Sequence, residues 1–540
     1  MPSPQTLTRT ITLVALAVVI AAGSTFSQEF TLWGNLEPGQ YGVGFETLEQ
    51  YDRSRTFRSP TDYFGNPQDG QTARPIQACI WYPAQASDGQ LPMVYGEYAF
   101  PYPSDGEFFN LASAMHNREL RTVGMFLRGN ANMLKAMDLT LMGVRDAAWA
   151  DGSFPVIVFH PGFRGAYCQN VVLCEYLASH GFVVITTHPL GTTVNDAAAD
   201  LRDLETSVRD KEFAVSLLTQ RPGADLSRIG TLGFATGGLG ALIHQMRNPG
   251  IAAVAIMQGD FAPDAASDQG LVNPSMDPLA AGRPLLHIHV GSTPEDFHDY
   301  IDTLQYAHHH LIQLDGPTAL DMTSYGLLAL TVRDSTGPPP AVTRNTYEAA
   351  CTALNSFFKA HVDGNEKADD PEHGPKFIQS TMDRFSKMEN PPTVSHRPGD
   401  PVPPTAVQFT RIVRENGPDV AAELVEKFDL CNPEHPILPG PNFTGLGYEY
   451  LQSGRTEPAL KVFKMGVTAY PNSANAWDSY GEANSANGEL HQAVTCYEKA
   501  LSLLDSDPRI TPGLRDAINT NAPQIIARLK ERIAEQDANQ

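Results

Sequence analysis

From Phe154 onward the hydrophobic pattern keeps a steady rhythm. Short unbroken apolar runs fall at Pro155–His160, Phe182–His188, Ile229–Phe234, Ile251–Gln258, Leu285–Gly291 and Leu311–Gly316. Amphipathic helical patterns lie between them at Asn170–His180, Leu201–Thr219 and Gly238–Arg247, and Tyr347–His361 predicts a closing helix. Strands apolar on both sides, alternating with such helices, predict an α/β fold: a mostly parallel sheet with helices on both faces. Upstream, Ile76–Ala84 predicts a further strand, and the residues before it read as turn-rich. Between that strand and Phe154, residues 85–152 hold two helical patterns, Phe108–Met115 and Met133–Trp149. An insert of that length is too long for a plain connection. It reads either as a cap over the sheet edge or as a helical pack on its outer face.

The pattern changes near Asp363. Prolines crowd residues 364–404 (Pro371, Pro375, Pro391, Pro392, Pro398, Pro401, Pro403, Pro404), which predicts a linker. Beyond it, residues 405–540 repeat. Phe443, Leu446, Gly447, Tyr450, Gly454, Ala459 and Phe463 match Trp477, Tyr480, Gly481, Asn484, Gly488, Ala493 and Tyr497, at a constant offset of 34 (477 − 443, 497 − 463). That period predicts an all-α tetratricopeptide-repeat domain. The closing proline departs from it, because Pro471 has Asp505 as its counterpart. Thr405–Asn416 with Val420–Phe428 predicts a looser preceding helix pair, and Ile510–Gln536 a terminal capping helix.

Composition narrows the function classes. With 540 residues there is length for two or more domains, and a formal charge of −23 disfavours nucleic acid and anionic membrane surfaces as partners. Arg9 ahead of the apolar stretch Ile11–Gly23, with Thr25 and Ser27 before Gln28, predicts a signal peptide over residues 1–27. The competing reading is an uncleaved anchor, for which the stretch is short. The expected location is therefore secreted or periplasmic, with no membrane span after cleavage. Six cysteines in such a chain are no disulfide framework; in an exported protein Cys168 and Cys174 are the closest candidates for a pair.

The chemistry centres on Ile229–Gly240, where an apolar strand runs into Gly233-Phe234-Ala235-Thr236-Gly237 and a helix follows at once. This is the layout of the nucleophile elbow, G-x-S-x-G, with alanine at the apex. Together with Cys79–Pro83, Phe154–Gly162, Leu177–Gly181 and Leu314–Ser324, the elbow resembles the platelet-activating-factor acetylhydrolase and dienelactone-hydrolase-like branch of α/β-hydrolases, over residues 28–363. The resemblance implies a carboxylic-ester hydrolase with a Ser-Asp-His triad in that order. On this chain the serine position is Ala235, the acid position is Gln258 and the histidine position is Ala319. No triad member remains, and no catalytic residue is expected.

The family's oxyanion segment matches His160, Pro161, Gly162 and Phe163, so Phe163 and Thr236 are expected to offer N–H groups to a small acyl or carboxylate ligand, with Gly162 and His160 lining the pocket. Gly162 serving only a tight turn is the plainer reading. Thr236 as nucleophile, a displaced acid at Asp260, Glu295 or Asp296, and a displaced base at His298 or His308–His310 are the rescue readings. His287 and His289 alternate on one strand and read as a buried pair rather than metal ligands. No cofactor and no metal are expected. The expected function is a catalytically degenerate α/β-hydrolase-fold protein acting as an exported binding or scaffold protein, whose repeat domain takes a peptide or protein partner. The alternative is an active ester or lactone hydrolase with a rearranged catalytic set.

Overall fold

Runs of valine, isoleucine and phenylalanine without polar interruption become the centre of one sheet. The computed structural model describes residues 32–57, 66–67, 72–85, 90–101, 103, 106–162, 166–192, 201–259, 280–291, 300–314, 316, 318–332, 340–364 and 374–538. Its strands are β1 (Gly42–Phe57), β2 (Thr72–Ala84), β3 (Val144–Arg145), β4 (Phe154–His160), β5 (Val183–Thr187), β6 (Ala224–Phe234), β7 (Ile251–Met257), β8 (Leu285–Val290), β9 (His309–Leu314) and β10 (Thr393–Arg397). They pair in the order β10-β9-β8-β7-β6-β4-β5-β2-β1-β3. Strands β4 to β9 run parallel, while β2 is antiparallel to β5, β1 to β2, and β10 to β9. Every residue of β4, β5 and β8 is buried, as strands covered on both faces require.

Helices supply the two covers. The helices of this unit are α1 (Tyr95–Ala99), α2 (Gly106–Phe126), α3 (Asn130–Met137), α4 (Val171–Ser179), α5 (Leu201–Leu217), α6 (Gly237–Arg247), α7 (Ser324–Val332), α8 (Pro340–His361) and α9 (Gly374–Asp383). Ile157, Phe159, Val184 and Leu232 point to one face, where they pack with Leu173 and Leu177 of α4 and Leu354 and Phe357 of α8. Val156, Val158, Val183 and Ile185 point to the other and meet Ala214 and Leu217 of α5. The period-two alternation of each strand thus feeds two separate cores.

Three stretches differ from expectation. The turn-rich opening is instead β1, paired with β2 along its length. Its polar Glu46, Glu49 and Gln50 break the apolar strand pattern, and Glu46 is held by Arg221 at 2.8 Å. The helix expected over Met133–Trp149 ends at Met137, and Val144–Arg145 return to the sheet beside β1. Past that end, Gly143 packs where a side chain would collide with the Tyr98 hydroxyl, and its N–H donates to Glu175 at 2.7 Å. The expected linker also folds. Within 364–404 lie α9 and β10, and β10 pairs with β9 from Thr393↔Gln313 to Arg397↔His309.

The insert docks through two buried carboxylates. Glu175 of α4 accepts hydrogen bonds from Trp33 Nε1 (2.9 Å), the Tyr98 hydroxyl (2.7 Å), and the backbone N–H groups of Met142 (3.1 Å) and Gly143 (2.7 Å). Glu119 of α2 accepts from the hydroxyls of Tyr95 and Tyr325, the latter on α7. All six cysteines are free and buried, so the Cys168–Cys174 pair does not form.

The second compact unit, Pro401–Gln540, is helical. It comprises α10 (Ala406–Glu415), α11 (Pro418–Phe428), α12 (Gly440–Gln452), α13 (Thr456–Ala469), α14 (Ala474–Ala486), α15 (Leu490–Leu503) and α16 (Pro512–Ala538). Helices α12 and α13 begin at 440 and 456, α14 and α15 at 474 and 490, a shift of 34 in each case (474 − 440, 490 − 456). Gly447 makes room for the Phe463 ring, which a Cβ would approach to 2.5 Å, and Gly481 does the same for Tyr497 at 3.2 Å. Among the described residues no helix is long and apolar enough to cross a membrane; Ile11–Gly23 lies outside them.

Candidate functional site

Strand β6 ends at Phe234 and helix α6 begins at Gly237, leaving Ala235 and Thr236 to make the turn. Ala235 takes a left-handed conformation, φ +51°, which a non-glycine residue adopts only when its surroundings impose it. They do so here. The Ala235 N–H donates to the Met257 carbonyl at 2.9 Å, and its carbonyl accepts from the Gly238 N–H at 2.9 Å. A side chain at Gly233 would collide with the Gly237 carbonyl, and one at Gly237 with the His160 carbonyl. Because both obstacles are backbone, Gly237→Ala is expected to cost about 3 kcal/mol or more, read as a lowered urea midpoint for the sheet unit.

Deleting the two-residue β3 and the added edge β10 leaves a sheet whose strands, renumbered along the chain, lie in the order 1-2-4-3-5-6-7-8 with the second antiparallel. A sharp strand-to-helix turn follows the fifth. The dienelactone hydrolase family profile matches residues 144–283, which contain this turn. The sheet unit has the α/β-hydrolase fold. Among solved structures, a ferulic acid esterase from Streptomyces cinnamoneus is 19% identical, with 61% of this chain and 92% of that chain covered at a TM-score of 0.44. No curated protein matches the chain.

In an α/β-hydrolase the reacting groups gather at the carboxyl ends of the parallel strands, and Ala235, Gln258 and Ala319 follow β6, β7 and β9 at that edge. None of the three carries a reacting atom. Gln258 is also left-handed, φ +51°; its N–H donates to the Ile288 carbonyl at 2.7 Å and its side-chain Oε1 accepts from the Val290 N–H at 3.0 Å. The carboxamide extends the join between β7 and β8. Ala319 opens a 3-10 turn capped by Thr318 and Asp321. The Asp321 carboxylate is occupied structurally, accepting from Thr318 N–H and Oγ1 (both 3.0 Å) and from Thr343 Oγ1 (2.6 Å).

The expected pocket residues divide. Gly162 lies over the elbow: a Cβ there would stand 3.6 Å from Thr236 Oγ1 and 3.7 Å from the Ala235 Cβ. Phe163 lies outside the described residues, as do Asp260, Glu295, Asp296 and His298. His160 is not free to line a pocket. Its Nε2 is 3.2 Å from His244 Nδ1, and the ring lies against Gly240 of α6. Burial, then Lys211 and His244, hold its pKa far below the usual imidazole range. His308–His310 lead into β9 at its amino end, across the sheet from the elbow, which removes them as a displaced base. His287 and His289 are buried with rings 5.3 Å apart, and His289 Nδ1 is 3.0 Å from the Gly291 carbonyl.

A polar cluster absent from the sequence reading lies between α5, α6 and the ends of β4 and β5. His188 Nε2 is 2.9 Å from Gln77 Oε1, and burial, then Arg118 and Lys211, lowers its pKa to about 3. Lys211 Nζ donates to Ser207 Oγ at 3.0 Å, and burial lowers its pKa to about 8. Arg74 donates to Asp210 through Nε and Nη2 and to the Leu190 and Gly191 carbonyls, tying the loop after β5 to the sheet. Only the four-residue spacing of Ser207 and Lys211 on one helix face was visible in sequence; the other contacts join distant parts of the chain.

Proposed function

We propose that this protein is a hydrolase-fold pseudoenzyme: an exported binding or scaffold protein in which the sheet unit holds a small acyl or carboxylate ligand without cleaving it. The observation that carries the reading is the alanine methyl at the elbow apex, seated in the conformation a nucleophile needs and offering nothing to attack with. Gln258 and Ala319 at the acid and histidine positions support it, since removing triad members together costs about a million-fold in turnover. Export is supported by Arg9 and the apolar stretch Ile11–Gly23. The 34-residue offset supports reading α12 to α15 as tetratricopeptide repeats that present a binding surface to a peptide or protein.

A second reading, an ester or lactone hydrolase with a rearranged set, draws on the Ser207–Lys211 contact, a hydroxyl within reach of a lysine whose pKa is lowered. Against it stands burial: Ser207 is 7% exposed and Lys211 1%. The expected result with purified protein is no hydrolysis of short-chain aryl esters above the buffer rate and no fluorophosphonate adduct. An adduct mapped to Ser207, with heat-labile esterase activity, replaces the first reading with the second.

A further inference from the structure

The helical unit contains a groove of about 480 Å³ between α14 and α16. Tyr497, Ile518, Ile525 and Leu529 give it an apolar floor. Asp478 and Glu482, four residues apart on α14, line one side, and Arg528 and Arg532, four apart on α16, line the other. Close to the groove, Lys530 pairs with Glu498 at 2.8 Å and Arg515 with Asp505 at 2.9 Å. Among the described residues, Asp478, Arg528 and Arg532 form no ion pair. Glu482 accepts only a hydroxyl, that of Tyr448, at 2.7 Å. Burial, then the neighbouring Glu482, raises the Asp478 carboxyl to about 6, the signature of a carboxylate lacking a cation.

An apolar floor between an acidic and a basic wall excludes two ligand classes. Nucleic acid is repelled by the acidic wall, and a metal ion by the arginines. An extended chain with charges of both signs satisfies every wall at once. Leu514 to Arg532 along α16 is 19 residues, 18 steps or roughly 27 Å of helix at 1.5 Å per residue, which matches about eight extended residues.

We propose that this groove binds an extended peptide segment that presents a lysine or arginine to Asp478 and Glu482 and a carboxylate to Arg528 and Arg532. The proposal rests on reading the helical unit as a protein-binding module and adds the chemistry of its partner.

Fluorescein-labelled octapeptide pools test it on the full-length protein by polarisation. One pool carries fixed lysine and glutamate among small and apolar residues; a second replaces the lysine by methionine, a third the glutamate by glutamine. The first pool is expected to bind at least tenfold more tightly than either other and to weaken with added salt. Asp478→Asn is expected to abolish the preference for the lysine, and Arg532→Ala the preference for the glutamate. Asp478→Asn is also expected to melt no lower than the parent, because it removes an uncompensated carboxylate, so lost binding is not lost folding. Equal binding of the pools, or a preference untouched by Asp478→Asn, overturns the charge assignment and leaves the binding-module reading standing. No binding by any pool overturns both.

Discussion

Lowering the pH from 7 to 5 is expected to unfold the α/β-hydrolase unit. His160, His188, His244 and His310 are all buried and held neutral. Burial is the leading cause in each: it depresses His160 strongly, takes His188 and His244 to about 3, and takes His310 to about 2 with help from His396, His361, His309 and His308. A depressed histidine pKa means that the unfolded chain binds the proton first. Stability is therefore complete above pH 6.5 and falls below it, at about 1.4 kcal/mol per pH unit for each group until the folded pKa is reached. By pH 5 that is about 2 kcal/mol for each of His188, His244 and His310, about 6 kcal/mol together, with His160 acting in the same direction, a sum comparable to the whole stability of a typical domain. Glu119 and Glu175 oppose the trend, since burial raises both carboxyls and acid relieves them. Urea midpoints followed by near-ultraviolet circular dichroism from pH 7.5 to 4.5 check this. A midpoint that is flat or rises toward pH 5 contradicts it.

Glu175→Ala is expected to lower the urea midpoint of the sheet unit more than any other single change to the insert's anchors. The substitution strips the acceptor from the Trp33 indole, the Tyr98 hydroxyl and the Met142 and Gly143 N–H groups. Each buried donor left unsatisfied costs about 1–3 kcal/mol, so the loss is on the order of 5 kcal/mol or more. Glu175→Gln keeps the shape and one acceptor oxygen but turns an NH₂ toward donors, and about 3 kcal/mol is expected. Urea unfolding of the two variants checks the order. If Glu175→Ala folds with an unchanged midpoint, the insert is not anchored by this carboxylate. The chemistry here is structural, although a buried glutamate ringed by four donors resembles a reactive centre.

The central strands were legible because runs such as Val156–Phe159 admit no other period, and both faces of the sheet are covered. The elbow was legible because Gly233, Gly237 and Gly238 each stand where a side chain would strike a neighbour. β1 escaped because one face is half-exposed and polar, and β10 because prolines on both sides suggested a tether. The direction of the His160 side chain depends on which face of β4 its register selects, and that follows from pairing with β6 rather than from local sequence. The carboxylate anchors and the His188–Lys211 cluster join segments too far apart in sequence for any spacing rule to connect them.

Strand β10 bears on where the polypeptide can be divided. Severing it after Asp363 would strip the partner from His309–Gln313 and leave a bare row of amide and carbonyl groups over an apolar layer, the kind of border that zips onto a neighbouring molecule. The safe place to separate the halves is the proline-flanked stretch after Asp400, where no strand is torn from its neighbour.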